Sequence, residues 1–320
     1  MQTKKLGQTD IEIQPLVFGG NVFGWTIDET KSFELLDAFV ADGFSMIDTA
    51  DAYSTWVPAN TGGESETIIG NWMKERKNRE QVIIATKVGS EMGEGKKGLS
   101  KNYIHAAVDA SLQRLQTDYI DLYQSHWDDP AMPFEETLRA YEDLKKSGKV
   151  RWIGASNLNA ERLMESIEVS AANSLTGYQC FQTHYNLMER SLYETTLEKI
   201  CLKYNLGVIT YFSLAAGFLT GKYRTEADLG QSARGGGVKK YLNEKGMKIL
   251  AALDEVAGKY ETTPATISLA WLIARPSVSA PIASATNTAQ LTDLKKAVQL
   301  ELDAEDIYLL NLASAGEPDL

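Results

Sequence analysis

Short apolar segments alternate with amphipathic segments along most of the chain. Strand-length apolar runs lie at residues 16–18, 44–47, 82–86, 119–124, 151–155, 178–182, 207–211 and about 278–282. Hydrophobic positions at helical spacing lie at about 29–42, 64–77, 101–115, 134–147, 160–172, 193–204, 246–260 and 264–274. This repeated order of strand and helix is typical of a parallel sheet covered by helices.

The number of repeats distinguishes a closed barrel from an open sheet. About eight strand–helix units in roughly 300 residues favour an α/β fold of the (β/α)8 TIM barrel type. An open sheet usually carries Gly-x-Gly-x-x-Gly after its first strand, and the glycines at Gly19, Gly20 and Gly24 do not have that spacing. The predicted fold class is therefore a (β/α)8 barrel.

Three further features complete the predicted architecture. Residues 2–14 alternate around a turn and predict an N-terminal β-hairpin. Long loops are expected at about 54–63 and 223–245, on the C-terminal face of the barrel, where such loops often form lids or binding segments. No linker interrupts the sequence pattern, so we expect a single domain over residues 1–320.

Polar side chains stand where three consecutive apolar runs stop. The runs end at Asp48, Lys87 and His126, and Tyr53 lies on the loop after Asp48. The active sites of (β/α)8 barrels form at the carboxyl ends of the strands, and neighbouring strands are about 4.8 Å apart. We therefore expect these four side chains to converge.

The four side chains suit proton transfer to an oxygen atom. A nearby Lys87 is expected to lower the pKa of Tyr53 by favouring the phenolate, while Asp48 keeps the lysine charged. Tyr53 could then donate a proton to a developing alkoxide, and a neutral His126 could orient a carbonyl oxygen. The sequence shows neither a serine or cysteine nucleophile paired with a base nor a metal-ligand motif among its three histidines.

Each of the four residues also has a structural explanation. Asp48 could cap a loop, Lys87 could be a solvated lysine at the barrel rim, and His126 could be a hydrogen-bonded structural histidine. Tyr53 could serve packing alone. Four independent structural explanations would be needed for polar residues that all lie at or just after the ends of three consecutive strands. A single functional cluster is therefore the favoured interpretation.

Composition and charge narrow the range of partners. The 320-residue chain has a formal net charge of −11, which argues against a nucleic-acid or anionic-membrane surface. No apolar run approaches the ~20 residues of a membrane span, and the first residues do not have a signal-peptide pattern. Cys180 and Cys201 have no metal or redox spacing, which favours buried thiols in a reducing, cytoplasmic compartment.

Longer sequence motifs are spread over nearly the whole chain. They lie at residues 48–53, 63–66, 84–87, 118–123 with His126, 148–157, Gln182 with 185–186, and 217–223. Together they resemble the aldo-keto reductases, specifically the bacterial branch that is also similar to the potassium-channel β subunits.

The resemblance implies a (β/α)8 barrel that reduces carbonyl compounds with NADPH and without a metal. It implies a catalytic role for Asp48, Tyr53, Lys87 and His126, with Tyr53 as the general acid. It also implies nicotinamide contacts at Ser156, Asn157, Gln182 and Tyr211, pyrophosphate contacts at Leu214, Gly217 and Lys222, and 2′-phosphate contacts at Ser284, Thr286 and Gln290. Gly20, Asn21, Phe212, Ser213 and Arg234 complete the candidate cofactor contacts.

The chain departs from the family in two cofactor segments. Phe212 and Ser213 stand where the family usually has Ser-Pro, so the turn loses its proline. Residues 286–288 carry no positive charge, although a phosphate dianion is normally met by cationic side chains. The candidates to replace that charge are Arg234, Lys295 and Lys296. The resemblance implies NADPH as the cofactor, and the missing positive charge keeps NADH as an alternative.

Several functional hypotheses are compatible with these residues. The favoured one is a cytoplasmic NADPH-dependent reductase of small carbonyl compounds, acting as a monomer or homo-oligomer. One rival is a redox-sensing binding subunit with slow turnover. Another is a Schiff-base aldolase that uses Lys87, which is disfavoured because Asp48 would hold the amine charged.

Four large aromatic residues lie on loops beyond the strand ends. They could wall an apolar cleft for hydrophobic or aromatic aldehydes, and packing at the barrel rim explains them equally well. These residues are Trp25, Trp56, Trp127 and Phe212.

Overall fold

Eight parallel strands close into a barrel at the centre of the molecule. The computed structural model describes residues 3–315. Two short strands, β1 (Lys4–Lys5) and β2 (Glu12–Ile13), precede the barrel. The barrel strands are β3 (Val17–Gly19), β4 (Met46–Asp48), β5 (Ile83–Val88), β6 (Ile120–Ser125), β7 (Val150–Ser156), β8 (Cys180–His184), β9 (Gly207–Tyr211) and β10 (Ala280–Ala283). Each barrel strand pairs with the next, and β10 closes the ring against β3, which confirms the predicted (β/α)8 barrel.

Helices alternate with the barrel strands and pack outside them. They are α1 (Glu29–Ala41), α2 (Glu64–Arg76), α3 (Lys101–Leu115), α4 (Phe134–Lys146), α5 (Ala160–Ala172), α6 (Glu198–Lys203), α7 (Glu244–Lys259), α8 (Pro264–Ile273), α9 (Thr288–Lys296) and α10 (Ala304–Ser314). The bounds of α1 to α8 differ from the predicted ones by at most two residues, once the π-helical turn Tyr193–Leu197 is counted with α6.

The last two helices were missed by the sequence pattern. In α10 the apolar side chains are spread around the helix, since Leu310 is buried while Tyr308 and Leu312 are exposed. No apolar stripe of period 3.6 marks such a helix. The sequence predicted residues 223–245 as a long loop. In the structure this segment contains 3-10 helical turns at Glu226–Gln231 and Gly235–Tyr241.

The barrel interior is a small apolar cluster closed from below by the N-terminal hairpin. Interior side chains of the barrel strands include Met46, Ala85 and Leu122. The antiparallel pair of β1 and β2 confirms the predicted hairpin, and its neighbours Leu6 and Ile11 pack into the same cluster. Apolar packing therefore fills the amino-terminal end of the barrel and leaves polar side chains to the carboxyl end.

The helices of the described residues include none that is long and apolar enough to cross a membrane. This finding concerns residues 3–315 only.

Two glycines in helices make a matched pair for testing how tightly the outer layer packs. A Cβ atom on Gly70 in α2 would lie 2.1 Å from the carbonyl oxygen of Arg114 in α3, whereas Gly258 in α7 has open space around it. We expect Gly70→Ala to lower the free energy of unfolding by about 1–3 kcal/mol through overpacking. Gly258→Ala should raise it by about 0.5–1 kcal/mol, because alanine favours a helix. Denaturant unfolding measures both, and equal effects would contradict the close approach of α2 to α3.

Candidate active site

The alternation of side chains along the barrel strands brings polar groups into the interior. Successive residues of a strand point to opposite faces, so residues two places after the interior apolar ones also point inside. On β4, β5 and β6 these residues are Asp48, Lys87 and Gln124. The register aligns Lys87 with Gln124, so the polar layer forms at the carboxyl ends of neighbouring strands.

The ammonium group of Lys87 is the centre of the site. Its side chain is 0% exposed and that of Asp48 is 1% exposed. Nζ donates hydrogen bonds to Asp48 Oδ2 at 2.6 Å, to the carbonyl oxygen of Thr49 at 2.8 Å and to Tyr53 Oη at 2.8 Å. Each hydrogen of a charged amine thus has an acceptor. Burial lowers the pKa of Lys87, and the adjacent Asp48 carboxylate opposes that shift.

The other carboxylate oxygen of Asp48 is held by two glutamines. Oδ1 accepts hydrogen bonds from Gln182 Nε2 at 2.9 Å and from Gln124 Nε2 at 3.3 Å. Sequence reasoning placed Gln182 at the cofactor and overlooked Gln124. The signal for Gln124 was a polar residue inside an otherwise buried strand, where an unpaired amide would be costly.

The hydroxyl of Tyr53 does not have the lowered pKa that the sequence argument predicted. Burial raises the pKa of Tyr53 well above its usual value, and the Asp48 carboxylate raises it further. The prediction considered Lys87 alone and omitted burial. Because Lys87 donates to the phenol oxygen, the hydroxyl hydrogen of Tyr53 has only a long 3.3 Å contact with Asp48 Oδ2. The phenol is therefore protonated at neutral pH, which is the state that an acid needs.

The imidazole of His126 lies beside Tyr53, with ring centroids 6.1 Å apart. Burial lowers the pKa of His126 well below its usual value, and the charge of Lys87 lowers it further. The ring is therefore neutral at pH 7. Its Nδ1 lies 2.8 Å from Oγ of Ser90, a residue that sequence reasoning did not single out.

A cleft of about 1120 Å³ opens over these residues at the carboxyl end of the barrel. Tyr53, His126 and Asp48 line it, and Lys87 lies beneath them. The candidate cofactor residues in its lining are Asn21, Ser156, Asn157, Gln182, Tyr211, Phe212, Ser213, Leu214, Gly217, Lys222, Arg234, Ser284, Thr286 and Gln290. Gly20 is not in the lining. Its carbonyl oxygen accepts a hydrogen bond from Ser65 Oγ at 2.8 Å, so it faces α2.

A hydrogen-bonded network joins the ends of β7, β8 and β9 within the cleft. Ser156 Oγ donates to the carbonyl oxygen of Gln182 at 3.0 Å. Asn157 has left-handed backbone geometry, with φ 59°. Its Nδ2 donates to the carbonyl oxygen of His126 at 2.8 Å, and its Oδ1 accepts from Tyr211 Oη at 2.7 Å. The network fixes the amide of Asn157 next to the histidine.

Among the described residues, the lysine and arginine side chains that line the cleft are Lys222 and Arg234. Gly217 has φ 99°, and a Cβ atom there would lie 3.7 Å from Cε of Lys222. Arg234, on the segment 223–245, donates from Nη2 to Asn21 Oδ1 at 3.1 Å and lies 5.3 Å from the ring centre of Trp25. The segment therefore reaches across the cleft to the loop after β3.

Another part of the cleft lining, on α9 and the loop before it, carries a carboxylate. Asp293 lines the cleft here together with Thr286 and Gln290. Lys296 lies 3.3 Å from Asp293 and outside the lining. Lys295 is also outside it, and pairs with Asp42 of the loop after α1. Of the cations considered as replacements for the family's phosphate ligand, Arg234 alone lines the cleft.

The four aromatic residues singled out in the sequence all line the cleft. Trp56, Trp127 and Phe212 are 48%, 51% and 49% exposed. The rings of Trp25 and Trp56 pack edge to face with centroids 5.4 Å apart. Trp25 and Trp56 therefore pack against each other, and all four side chains line the cleft.

Two further buried carboxyl groups, Asp51 and Glu66, lie close to the site. Asp51 is 2% exposed, and neither of its carboxylate oxygens has a hydrogen-bond partner in the described residues. Burial raises the pKa of Asp51 to about 8, and the nearby Glu66 carboxylate adds to the shift. Glu66 itself is paired with Arg114 at 2.7 Å. Across residues 3–315 no group of three or more His, Cys, Asp or Glu side chains is placed to bind a metal ion.

Comparison with known proteins agrees with this geometry. The model of the Aldo/keto reductase family matches residues 15–314. The chain belongs to the aldo/keto reductase family. The match covers every barrel strand and the polar layer described above, so the family resemblance drawn from the motifs is confirmed.

Related proteins have different functions by name. An uncharacterized oxidoreductase of Bacillus subtilis (strain 168), YrpG, is 33% identical, with 97% of this chain and 95% of the relative aligned. Norsolorinic acid reductase B of Aspergillus parasiticus is 30% identical over 96% of this chain and 82% of its own length. A probable voltage-gated potassium channel subunit beta of Arabidopsis thaliana is 30% identical over 94% and 92%. Family and relatives support an oxidoreductase that uses NAD(P)H.

The buried carboxyl of Asp51 makes stability depend on pH. Its folded-state pKa of about 8 lies above the unfolded value, so the unfolded state releases the proton first as pH rises. Asp51 therefore destabilises the fold by about 1.4 kcal/mol per pH unit between about pH 4 and the folded pKa. We expect Asp51→Asn to stabilise the protein, and its gain to be larger at pH 7.5 than at pH 5.

Unfolding midpoints of the wild type and of Asp51→Asn, measured at both pH values, check this expectation. Asp109→Asn is the control, because Asp109 is exposed and forms a surface ion pair with Lys149. A gain of equal size at the two pH values would show that Asp51 is already ionised in the folded protein.

Proposed function

We propose that this protein reduces aldehydes and ketones to alcohols with NADPH as hydride donor. The observation that carries the proposal is the set of hydrogen bonds that joins Asp48, Lys87 and Tyr53, with a neutral His126 beside them. This group lies at the lining of a cleft large enough for a dinucleotide and a small substrate. Membership of the aldo/keto reductase family supports it.

The cleft lining has the chemistry that a nicotinamide dinucleotide requires. Lys222 and Arg234 offer two positive charges for a pyrophosphate, and Gly217 keeps the backbone beside Lys222 free of a side chain. Ser156 and Asn157 offer polar atoms for a carboxamide near His126. When bound, the reduced nicotinamide supplies a hydride to the carbonyl carbon of the substrate.

The chain supplies the proton that completes the alcohol. As negative charge develops on the carbonyl oxygen, Tyr53 donates its hydroxyl hydrogen to that oxygen. The phenolate that remains is stabilised by the ammonium group of Lys87, 2.8 Å away. Asp48 keeps that ammonium charged and in place at 2.6 Å. The high pKa of Tyr53 prevents loss of the proton before hydride transfer.

The aromatic lining supports a preference for apolar substrates. Trp56, Trp127 and Phe212 each present about half of their surface to solvent at the cleft. Burying such surface against an apolar substrate is favourable by roughly 25 cal/mol per Å². Hydrophobic and aromatic aldehydes are therefore the proposed substrate class, and similar rates with glucose and benzaldehyde would exclude it.

Two rival functions are distinguished by turnover and by trapping. Similarity to a channel subunit supports a binding protein that oxidises its cofactor very slowly; multiple turnovers with a carbonyl substrate argue against it. A Schiff-base aldolase needs a neutral amine that substrate can reach. Lys87 is 0% exposed and donates three hydrogen bonds, so borohydride should trap no adduct.

Removal of the phenol hydroxyl is the direct test of the proton donor. Tyr53→Phe should lower kcat for an aromatic aldehyde by about 10²- to 10⁴-fold, the usual contribution of a general acid. The dissociation constant of NADPH, measured by quenching of tryptophan fluorescence, should stay within a factor of about two, because the phenol is not a phosphate ligand. Tyr308→Phe is the control, because it removes a phenol hydroxyl from an exposed side chain outside the cleft lining. Retention of wild-type kcat in Tyr53→Phe would remove the proposed mechanism.

The charges of the lining predict weak discrimination between the two dinucleotides. The carboxylate of Asp293 in α9 would repel an extra phosphate, and Lys296 is held outside the lining. We expect NADPH and NADH to have dissociation constants within about tenfold, or about 1.4 kcal/mol.

Asp293→Asn separates this charge effect from general damage to the cleft. It should tighten NADPH and leave NADH unchanged, since only NADPH carries the additional phosphate. An equal change for both cofactors would show that Asp293 does not lie near the 2′ position.

A further inference from the structure

A serine hydroxyl at the edge of the cleft contacts the active-site histidine. Ser90 follows β5 and is 9% exposed. Its Oγ lies 2.8 Å from Nδ1 of His126. The backbone of His126 is also fixed, because its N–H donates to the carbonyl oxygen of Val88 at 2.8 Å. Ring and backbone of the histidine are therefore both held by the end of β5.

The neutral imidazole of His126 carries one N–H, which can be on Nδ1 or on Nε2. Within residues 3–315, Nε2 has no hydrogen-bond partner, whereas Nδ1 has Ser90. Since His126 lines the cleft, Nε2 is the nitrogen left for a bound molecule. The tautomer therefore decides whether that molecule meets a hydrogen-bond donor or an acceptor.

The hydrogen-bond inventory of Ser90 distinguishes the two tautomers. If Nδ1 carries the hydrogen, Ser90 accepts, and its own hydroxyl hydrogen needs an acceptor elsewhere. The only partner of Ser90 Oγ in the described part of the chain is His126. Ser90 lines the cleft but is only 9% exposed, and a hydroxyl hydrogen largely removed from solvent is costly to leave without a protein acceptor. If Ser90 donates to Nδ1, its hydrogen is satisfied and the imidazole hydrogen resides on Nε2.

We propose that Ser90 is a positioning residue that keeps the hydrogen of His126 on Nε2, so that the cleft contains an N–H donor for the oxygen of a carbonyl substrate. This inference rests on the proposed reductase function for its consequence, although the tautomer itself does not depend on turnover. With Ser90 in place, a carbonyl oxygen receives two hydrogen bonds, one from Tyr53 Oη and one from His126 Nε2.

The tautomer can be read directly in the protein labelled with ¹⁵N-histidine. Long-range ¹H–¹⁵N correlation spectra distinguish a protonated ring nitrogen from an unprotonated one, and His126→Gln identifies the signals of His126 among the three imidazoles. The wild type should show the hydrogen on Nε2. In Ser90→Ala we expect a mixture of tautomers at His126, while His105 and His184 stay unchanged. Ser90→Thr, which keeps the hydroxyl, should restore the wild-type signals.

The kinetic consequence is measured on the same variants. Ser90→Ala should lower kcat by about tenfold, less than the 10²- to 10³-fold loss of a complete oxyanion donor, and should leave the dissociation constant of NADPH within about twofold. Ser147→Ala is the matched control, because that hydroxyl bonds Leu144 at the end of α4, outside the cleft lining.

Two results would overturn the inference. One is a wild-type His126 with its hydrogen on Nδ1, and the other is a Ser90→Ala variant that retains the pure Nε2 tautomer. Failure of the proposed function has a different signature. In that case no carbonyl compound is turned over by the wild type, and the change of tautomer in Ser90→Ala still establishes the role of Ser90 toward His126.

Discussion

The buried ion pair of Lys87 and Asp48 is the interaction on which the site depends. Two charges removed from water cost several kcal/mol each unless their remaining hydrogens and lone pairs are satisfied. Here the ammonium group donates to three acceptors, and the carboxylate accepts from the ammonium group and from two glutamines. The participating side chains come from β4, β5, β6 and β8, so the network links strands on both sides of the barrel interior. Any change of register would leave a buried polar atom unpaired.

The same burial shifts the pKa values of Tyr53 and His126 in opposite directions. It raises the pKa of Tyr53 and lowers that of His126, so both side chains are neutral hydrogen-bond donors at neutral pH next to a charged amine. Pairs of titratable groups with pKa values moved apart are a common basis for acid and base assignments. In this protein the pKa values of Tyr53 and His126 are moved apart because both side chains are buried against the polar layer at the carboxyl ends of the strands. The layer is desolvated because β-strand ends and the loop after β4 cover it.

The barrel and its polar layer are compatible with more than one biological use. Relatives of similar identity bear names as different as a reductase and a channel subunit. A fold does not define a function; the site does. In this chain the features that bear on function lie in the cleft lining, where Arg234 bridges to Asn21, Asp293 brings a negative charge to α9, and half-exposed aromatic rings surround the mouth.

The sequence alone determined the barrel and the strand ends that carry Asp48, Lys87 and His126, because the periods of strands and helices are local properties of a chain. It did not reveal α10, whose apolar residues follow no stripe, or the roles of Gln124 and Ser90. It also led to the wrong direction for the pKa of Tyr53. These properties depend on which distant residues become neighbours: Gln182 reaches Asp48 across 134 residues, and Ser90 reaches His126 across 36. Burial and hydrogen-bond partners are set by strand register and barrel closure, so only the tertiary structure decided them.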